Sequence, residues 1–471
     1  MTKYPVFILA VFFIISIVIR IPNLDRPLSK HHEFNAAIVL NVCNTWKNTG
    51  GIVAHNFTPI IFFGKSADTV FMQGPNFSKG KNYYISMGPF HFMAPYIFFN
   101  VLGLPMTPLY LQFFAILLSL IGVIILYKLL LSLFINYNNV KFISLITSII
   151  FIFLQSTLWF FSNAYCHESL ALIFYLIQLY YVIKLIINNN TPTNKDYILL
   201  IFVTMIGAAT DWFNFFTSGF IAMYFLIKYF KTQKLCYLKL AICIIISSVI
   251  SVFVFISYYV TEINFQQLTS MLHNKFSSRS LQLGPDKHYF LLYCKQALFH
   301  FVTTFSVFGI LYVVYYKTFF TYLKTKAIYF LTAPLLYSIL LLEFTAENEY
   351  AMLKFIPFIL IGSSYLFVTV TYKQLLIITS TIIVFNIALY YFINVPGEVS
   401  FNKSRYDCIK TAGEKVKRES NSNQVILTAN KYYNYQALMY YANRNISFFE
   451  SDTLLYECVN KNKLKNYYIL Q

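Results

Sequence analysis

Lys30, His31, His32 and Glu33 occupy four consecutive positions just after the first hydrophobic run of this chain. An acid and two imidazoles at a membrane border can do three things. Glu33 can open a helix over "HHEFNAAIVLNVCNTW", where the positive end of the helix dipole favours a carboxylate. It can act as a general base that takes a proton from an acceptor hydroxyl. Adjacent histidines point about 100° apart on a helix and cannot chelate one ion together. One of them can still join Glu33, His55 or His91 in holding a divalent metal, so His32, Glu33 and His91 form the candidate metal set.

Similar residues recur further along. "AYCHESLAL" puts His167 and Glu168 where an apolar run begins, and "ATDWFNF" puts Asp211 and Trp212 between two runs. "EFTAENEYAMLKFIP" adds Glu343, Glu347, Glu349 and Tyr350, with Lys354 about one turn further in. An interfacial aromatic belt accounts for Trp212 and Tyr350 but requires no acids. A phosphate leaving group would need cations. The candidates are Lys65, Lys79 and Lys81, then Lys275, Arg279, Lys287 and His288 in a long polar loop with the composition of a movable flap. Each of these also reads as an ordinary solvated loop residue.

The elements that must position these groups are membrane helices. The chain has 471 residues, 58% of them hydrophobic and only 11% charged, and a soluble domain would carry far more charge. The net charge of +18 is scattered between apolar runs with no basic stripe, which speaks against nucleic acid and for topology and anionic lipid. Seven cysteines form no CxxC pair or zinc spacing, and most read as buried apolar residues. The four N-x-S/T triplets expected on the outer side, at Asn56, Asn76, Asn402 and Asn445, would count only in a eukaryotic secretory setting.

Apolar runs near 4–21, 108–134, 142–161, 168–187, 197–212, 213–230, 239–260, 296–316, 327–343, 350–369 and 374–394 predict about 11 transmembrane helices. The first lacks a small-residue cleavage site and reads as an uncleaved span. As one helix, 197–230 would be about 51 Å long, so Asp211 predicts a tight exposed hairpin. Residues 85–103 are decided by charge. If they lie in the interface, Lys128, Lys141, Lys184, Lys195, Lys228, Lys231 and Lys234 fall inside, and the short outer connections carry no Lys or Arg. That segment is then an amphipathic helix on the outer face. Of the eleven acids before residue 396, only Asp196 then faces the cytoplasm. Ten acids on one face predict a polar chamber opening outward.

Residues 396–471 break from this pattern. They are polar, with β-like "NQVILTA" and "NISFFE" beside a helical "RYDCIKTAGEKVKRES", which predicts a small extracytoplasmic α/β domain. The division is therefore 1–395, with a first outer loop at 22–107, and 396–471.

In order along the chain, these features resemble the GT-C glycosyltransferases, in the branch of protein O-mannosyltransferases and lipid A aminoarabinose transferases. "RIPNLDRPLSKHHEFNAAIVL" is similar to the family's first span and acidic "DE" motif: Glu33 stands at the family's Glu with His32 in place of its Asp, or, in a register shifted by one, Glu33 stands in place of the Asp. "MGPFHFMAPYIFFNVLGLPMTPLYLQFF", "CHESLAL", "TDWFN" and "ENEYAMLKFIP" follow in family order, and "QALMYYANRN" resembles its tyrosine-rich C-terminal segment. Asn348-Glu349 departs from the family's His-Asp.

The resemblance implies a bundle with an outer cavity, in a bacterial inner membrane with the site on the periplasmic or extracellular side. It implies transfer of a sugar, with inversion, from a polyprenyl-phosphate donor to a lipid, glycan or protein acceptor. Glu33 would be the base. His32, Lys81, His91, Glu168, Asp211, Arg279, Lys287 and Glu349 would bind substrate. No cofactor is required, and a divalent metal is an optional addition. The rival reading is a transporter or flippase of lipid-linked glycans. Against it, the acids gather at one face and no inverted repeat is visible in the hydropathy.

Overall fold

The computed structural model describes residues 4–28, 32–63, 77–78, 81–280, 287–325, 328–395, 403–421, 424–429, 435–449, 451–461 and 467–470. Lys30, His31, Lys65, Asp68, Asn76, Lys79, Asp286 and Asn402 lie outside the described residues, as do the side chains of Lys287 and His288.

Helix α1 (Pro5–Arg20) is an unbroken apolar run with proline in its first turn, where the missing N–H costs nothing. It stops at Arg20. That buried guanidinium donates to Ser16 O at 3.1 Å and to Thr157 O and Leu158 O at 3.2 Å each. The first outer loop holds α2 (Glu33–Asn48), then β1 (Ile60–Phe63), β2 (Phe77–Ser78) and β3 (Lys81–Tyr83), then α3 (Phe90–Val101). The strands form an antiparallel sheet in the order β1-β3-β2. At 12 residues, α3 is about 18 Å long. It cannot cross about 30 Å of hydrocarbon, which agrees with its reading as an interfacial helix.

The bundle continues with α4 (Pro108–Leu133), α5 (Val140–Phe153), α6 (Gln155–Phe160) and α7 (His167–Tyr181), the last prolonged by a π turn. Then come α8 (Asn194–Ala208), α9 (Trp212–Thr232), α10 (Leu235–Glu262), α11 (Phe265–Ser277), α12 (Lys287–Val314) and α13 (Tyr316–Thr325). Next are α14 (Ile328–Leu340), α15 (Leu342–Glu347), a 3-10 segment (Glu349–Phe355), α16 (Ile356–Phe367) and α17 (Tyr372–Leu389).

Every expected span overlies at least one of these helices. Among the described residues, seven helical segments are long and apolar enough to cross a membrane: Pro5–Asn23, Pro108–Leu133, His167–Ile187, Leu235–Glu262, Phe290–Val314, Glu349–Phe367 and Tyr372–Asn394. Helices α5, α8 and α14 have 14, 15 and 13 residues, so each is about 20–23 Å long. Helix α9 has the length but carries polar groups, and it spends them inside the bundle. Thr217 Oγ1 donates to Gln178 Oε1 at 2.7 Å, and Gln178 Nε2 donates to Ser218 Oγ at 2.8 Å.

The run at 142–161, expected as one span, is two helices. Leu154 is extended at ψ 135°, and Asn386 Oδ1 accepts the freed Gln155 N–H at 3.0 Å. Arg20 takes the carbonyls one turn later. Such side-chain partners make a helix break tolerable at membrane depth.

The C-terminal region is α/β: α18 (Lys403–Glu419), β4 (Val425–Thr428), α19 (Tyr435–Ala442), β5 (Ile446–Phe448), α20 (Asp452–Lys461) and β6 (Tyr467–Leu470). Its parallel sheet runs β5-β4-β6, and the central "VILT" strand is buried at every position, as a parallel strand covered on both faces should be. Helix α19 packs on α2. Leu28 N donates to Tyr441 Oη at 2.8 Å, and Asn41 Nδ2 donates to Gln436 O at 3.0 Å. The tyrosine-rich segment thereby fixes the start of the first outer loop.

That loop also grips the α8–α9 turn. Phe90 N donates to Ala209 O at 3.1 Å, and a Cβ added at Gly88 would lie 2.0 Å from the same oxygen. Backbone against backbone leaves no side chain to move aside. Gly88→Ala should therefore cost roughly 1–3 kcal/mol, the range for overpacking. Thermal unfolding in detergent checks this, and an unchanged midpoint would contradict it.

Candidate active site

Two helix starts converge at one end of the bundle. His167 and Glu168 open α7, where a carboxylate meets the positive end of the helix. Asp211 is the N-cap of α9 and accepts Phe213 N at 2.7 Å, a standard use of aspartate. His167 Nε2 lies 2.9 Å from Glu168 Oε1 and 3.5 Å from Asp211 Oδ2. All three side chains are buried, and Glu168 Oε2 has no hydrogen-bond partner. The expected hairpin at Asp211 exists, but it is not exposed. The 86–90 segment covers it, with Trp212 Nε1 donating to Ser86 O at 3.1 Å. A contact between segments so far apart in sequence leaves no mark on local hydropathy.

Aromatic rings wall the cluster. Tyr350 stands between His32 and His167, at ring distances of 4.9 and 5.8 Å. His32, in the left-handed region at φ 59°, also meets Phe160 at 5.9 Å. Tyr337 Oη donates to Asp211 Oδ1 at 3.4 Å.

His91 is stacked on Tyr165 at 5.0 Å and lies 5.8 Å, ring to ring, from His167. Burial, helped by His167, holds the His91 imidazole well below its ordinary value of 6.5. The unfolded chain therefore takes up this proton first. The contribution to stability is intact above about pH 6.5 and is lost as pH falls below it, by at most about 1.4 kcal/mol per unit. A His91→Phe variant should lose less stability between pH 7 and 5 than the parent in pH-dependent melting. Parallel curves would refute this.

Beside the cluster lies a cavity of about 310 Å³ lined by Trp212, Phe216, Tyr337 and Leu341, with Lys275 and Arg279 as its cations. Trp212 and Tyr337 belong to both the cavity and the surroundings of Asp211. The Arg279 guanidinium lies 5.1 Å from the Phe344 ring, which is itself 6.2 Å from His167. Tyr84 sits in both fields. Burial pushes its hydroxyl up to about 12, opposed by Arg279 and reinforced by Glu168 and Asp211.

Other expected residues lie elsewhere or serve other partners. Glu33, the expected base, is fully buried and ion-paired with Arg26 at 2.5 Å. Lys81, expected on a phosphate, is 2.5 Å from Glu262 Oε2 and ties the outer-loop sheet to α10. Glu349 is buried at the start of the 3-10 segment. The expected metal set of His32, Glu33 and His91 is not gathered. Among the described residues, the group that brings such donors within 4.8 Å of one another is His167, Glu168 and Asp211. Sequence reasoning passed over Arg26, which lies seven residues before Glu33, and Tyr337, which lies in an apolar run and carries no signal.

One imidazole and two carboxylates are donors that zinc or manganese accepts. However, the same acids have a buried lysine, Lys354, as an electrostatic neighbour.

The fold matches solved membrane enzymes. ArnT from Cupriavidus metallidurans bound to undecaprenyl phosphate superposes with a TM-score of 0.60 at 10% identity, covering 97% of this chain and 89% of that one. Its apo state gives 0.57 at 10% identity, covering 96% and 88%. The archaeal oligosaccharyltransferase AglB from Archaeoglobus fulgidus, in complex with an inhibitory peptide and a dolichol-phosphate, gives 0.56 at 12% identity, covering 99% and 69%. No family model matches the chain, nor does any curated protein. The fold is the one these solved structures share. This chain is thus a polytopic helical membrane protein with a small C-terminal α/β domain.

Proposed function

We propose that the chain is an integral-membrane glycosyltransferase that moves a sugar from a polyprenyl-phosphate donor to a lipid, glycan or protein acceptor on the outer face of a bacterial inner membrane. One observation carries this reading: an apolar cavity with two cations shares Trp212 and Tyr337 with a buried His–Glu–Asp cluster. The structural neighbours that hold undecaprenyl phosphate and dolichol-phosphate support the donor class.

The cavity takes the apolar lipid next to its phosphate, and Lys275 and Arg279 neutralise that phosphate as it leaves. The acceptor oxygen attacks the anomeric carbon from the opposite side. The carbon–oxygen bond to phosphate breaks with its electron pair going to phosphate, and the configuration inverts. Glu168, whose Oε2 has no partner, takes the acceptor proton. His167, which also faces Asp211, holds that carboxylate, and Asp211 and His167 bind sugar hydroxyls. Glu33, locked to Arg26, anchors the outer loop that closes over the centre.

The test uses purified protein in nanodiscs with labelled polyprenyl-phosphate sugars and envelope acceptors. Transfer should occur, and Arg279→Met should raise the donor KM by about tenfold or more, the weight of a charge-assisted phosphate contact. Translocation of donor without transfer would replace this reading by the flippase one.

A further inference from the structure

Lys354 is 2% exposed, and its Nζ has no hydrogen-bond partner. It lies 4.4 Å from the Tyr337 ring centroid, 5.7 Å from that of Phe213 and 5.9 Å from that of Phe344. The same three rings surround the acid cluster. Tyr337 donates to Asp211, Phe213 supplies the amide that Asp211 caps, and Phe344 faces His167. The carboxylates that act on the ammonium are Glu168 and Asp211.

We propose that Lys354 is the resident cation of the His167–Glu168–Asp211 cluster and takes, through space, the electrostatic place of a divalent ion. Two buried carboxylates converging on one imidazole repel each other and have lost their water, a cost that positive charge nearby relieves. An isolated buried ammonium is equally costly. Placing the two together relieves both penalties. The aromatic cage holds the ammonium by its ring faces and leaves its N–H groups unspent. A divalent ion seated on the three donors would lie beside a fixed positive charge, so Lys354 makes the cluster exclude metal. The role of Lys354 is to position and neutralise the acids. It does not depend on the transfer reading, because binding of a bare ion tests it alone.

Full-length protein in detergent is titrated with Mn²⁺ alone, followed by electron paramagnetic resonance and calorimetry. The wild type should show no saturable site that Asp211→Asn removes. Lys354→Met should acquire one, at least about tenfold tighter by the removed repulsion, and Asp211→Asn in the same background should abolish it. Lys354→Arg keeps the charge and should stay silent. Lys354→Gln is the second neutral variant if the Met variant does not fold, with folding read from melting curves. An Asp211-dependent Mn²⁺ site in the wild type, or a folded neutral variant that gains none, would overturn the proposal.

Discussion

Replacing Glu168 by Gln is expected to lower sugar transfer by roughly 10²- to 10⁴-fold, the usual worth of a general base, while donor binding stays near its parental value. The expectation rests on the free Oε2 of a buried carboxylate beside His167 and Asp211. Gln keeps the shape and most contacts of Glu but has no basic oxygen, so kcat should fall and donor KM should not. The measurement is steady-state transfer in nanodiscs, paired with binding of labelled lipid phosphate. If kcat holds within about threefold, the base assignment fails, because even a modest general base contributes more than that. Asp211→Asn should fall less in kcat, since its Oδ1 already serves the Phe213 amide and Tyr337.

The second large effect concerns stability. Glu33 is fully buried and Arg26 partly so, at 2.5 Å, with the guanidinium 5.1 Å from the Trp159 ring. Removing one partner of a buried pair strands the other charge and costs about 3–5 kcal/mol. Arg26→Met should therefore lower the unfolding midpoint sharply, and Glu33→Gln less, since an amide still accepts from Arg26. The double variant Arg26→Met/Glu33→Gln should recover much of the loss, because no charge is then stranded. Equal losses in the single and double variants would show that the pair is not coupled. The same series separates anchor from base: an anchor loses transfer in proportion to folded protein, whereas a base loses it in fully folded protein.

The sequence allowed the class of this molecule to be read directly. Runs of Ile, Leu and Phe admit only membrane helices, because a bilayer leaves no other way to satisfy the backbone. Lys and Arg scattered to one side placed the 85–103 segment in the interface, and α3 is indeed too short to cross. "VILT" and "ISF" read as strands and are strands. His167, Glu168 and Asp211 were visible as polar residues at the starts of apolar runs, where helices begin.

Other features were not legible. The outer-loop sheet β1-β3-β2 depends on pairing Ile60–Phe63 with Lys81–Tyr83, and loop-closing pairs of that kind leave no periodic trace. The break at Leu154 depends on Asn386, more than two hundred residues away. Lys81 looked like a phosphate ligand until Glu262, at the far end of α10, took it.

The sequence by itself determined the helices and which residues can titrate, because hydropathy and charge act residue by residue along the chain. Only the tertiary structure decided which of the acids before residue 396 matter together. It paired Glu33 with Arg26 and buried Asp211 under the 86–90 segment. It also brought Glu168, Asp211 and Lys354 into one aromatic chamber. Ionic and hydrogen-bond partners are chosen by distance in space, and apart from Arg26 the deciding partners come from segments far apart in sequence.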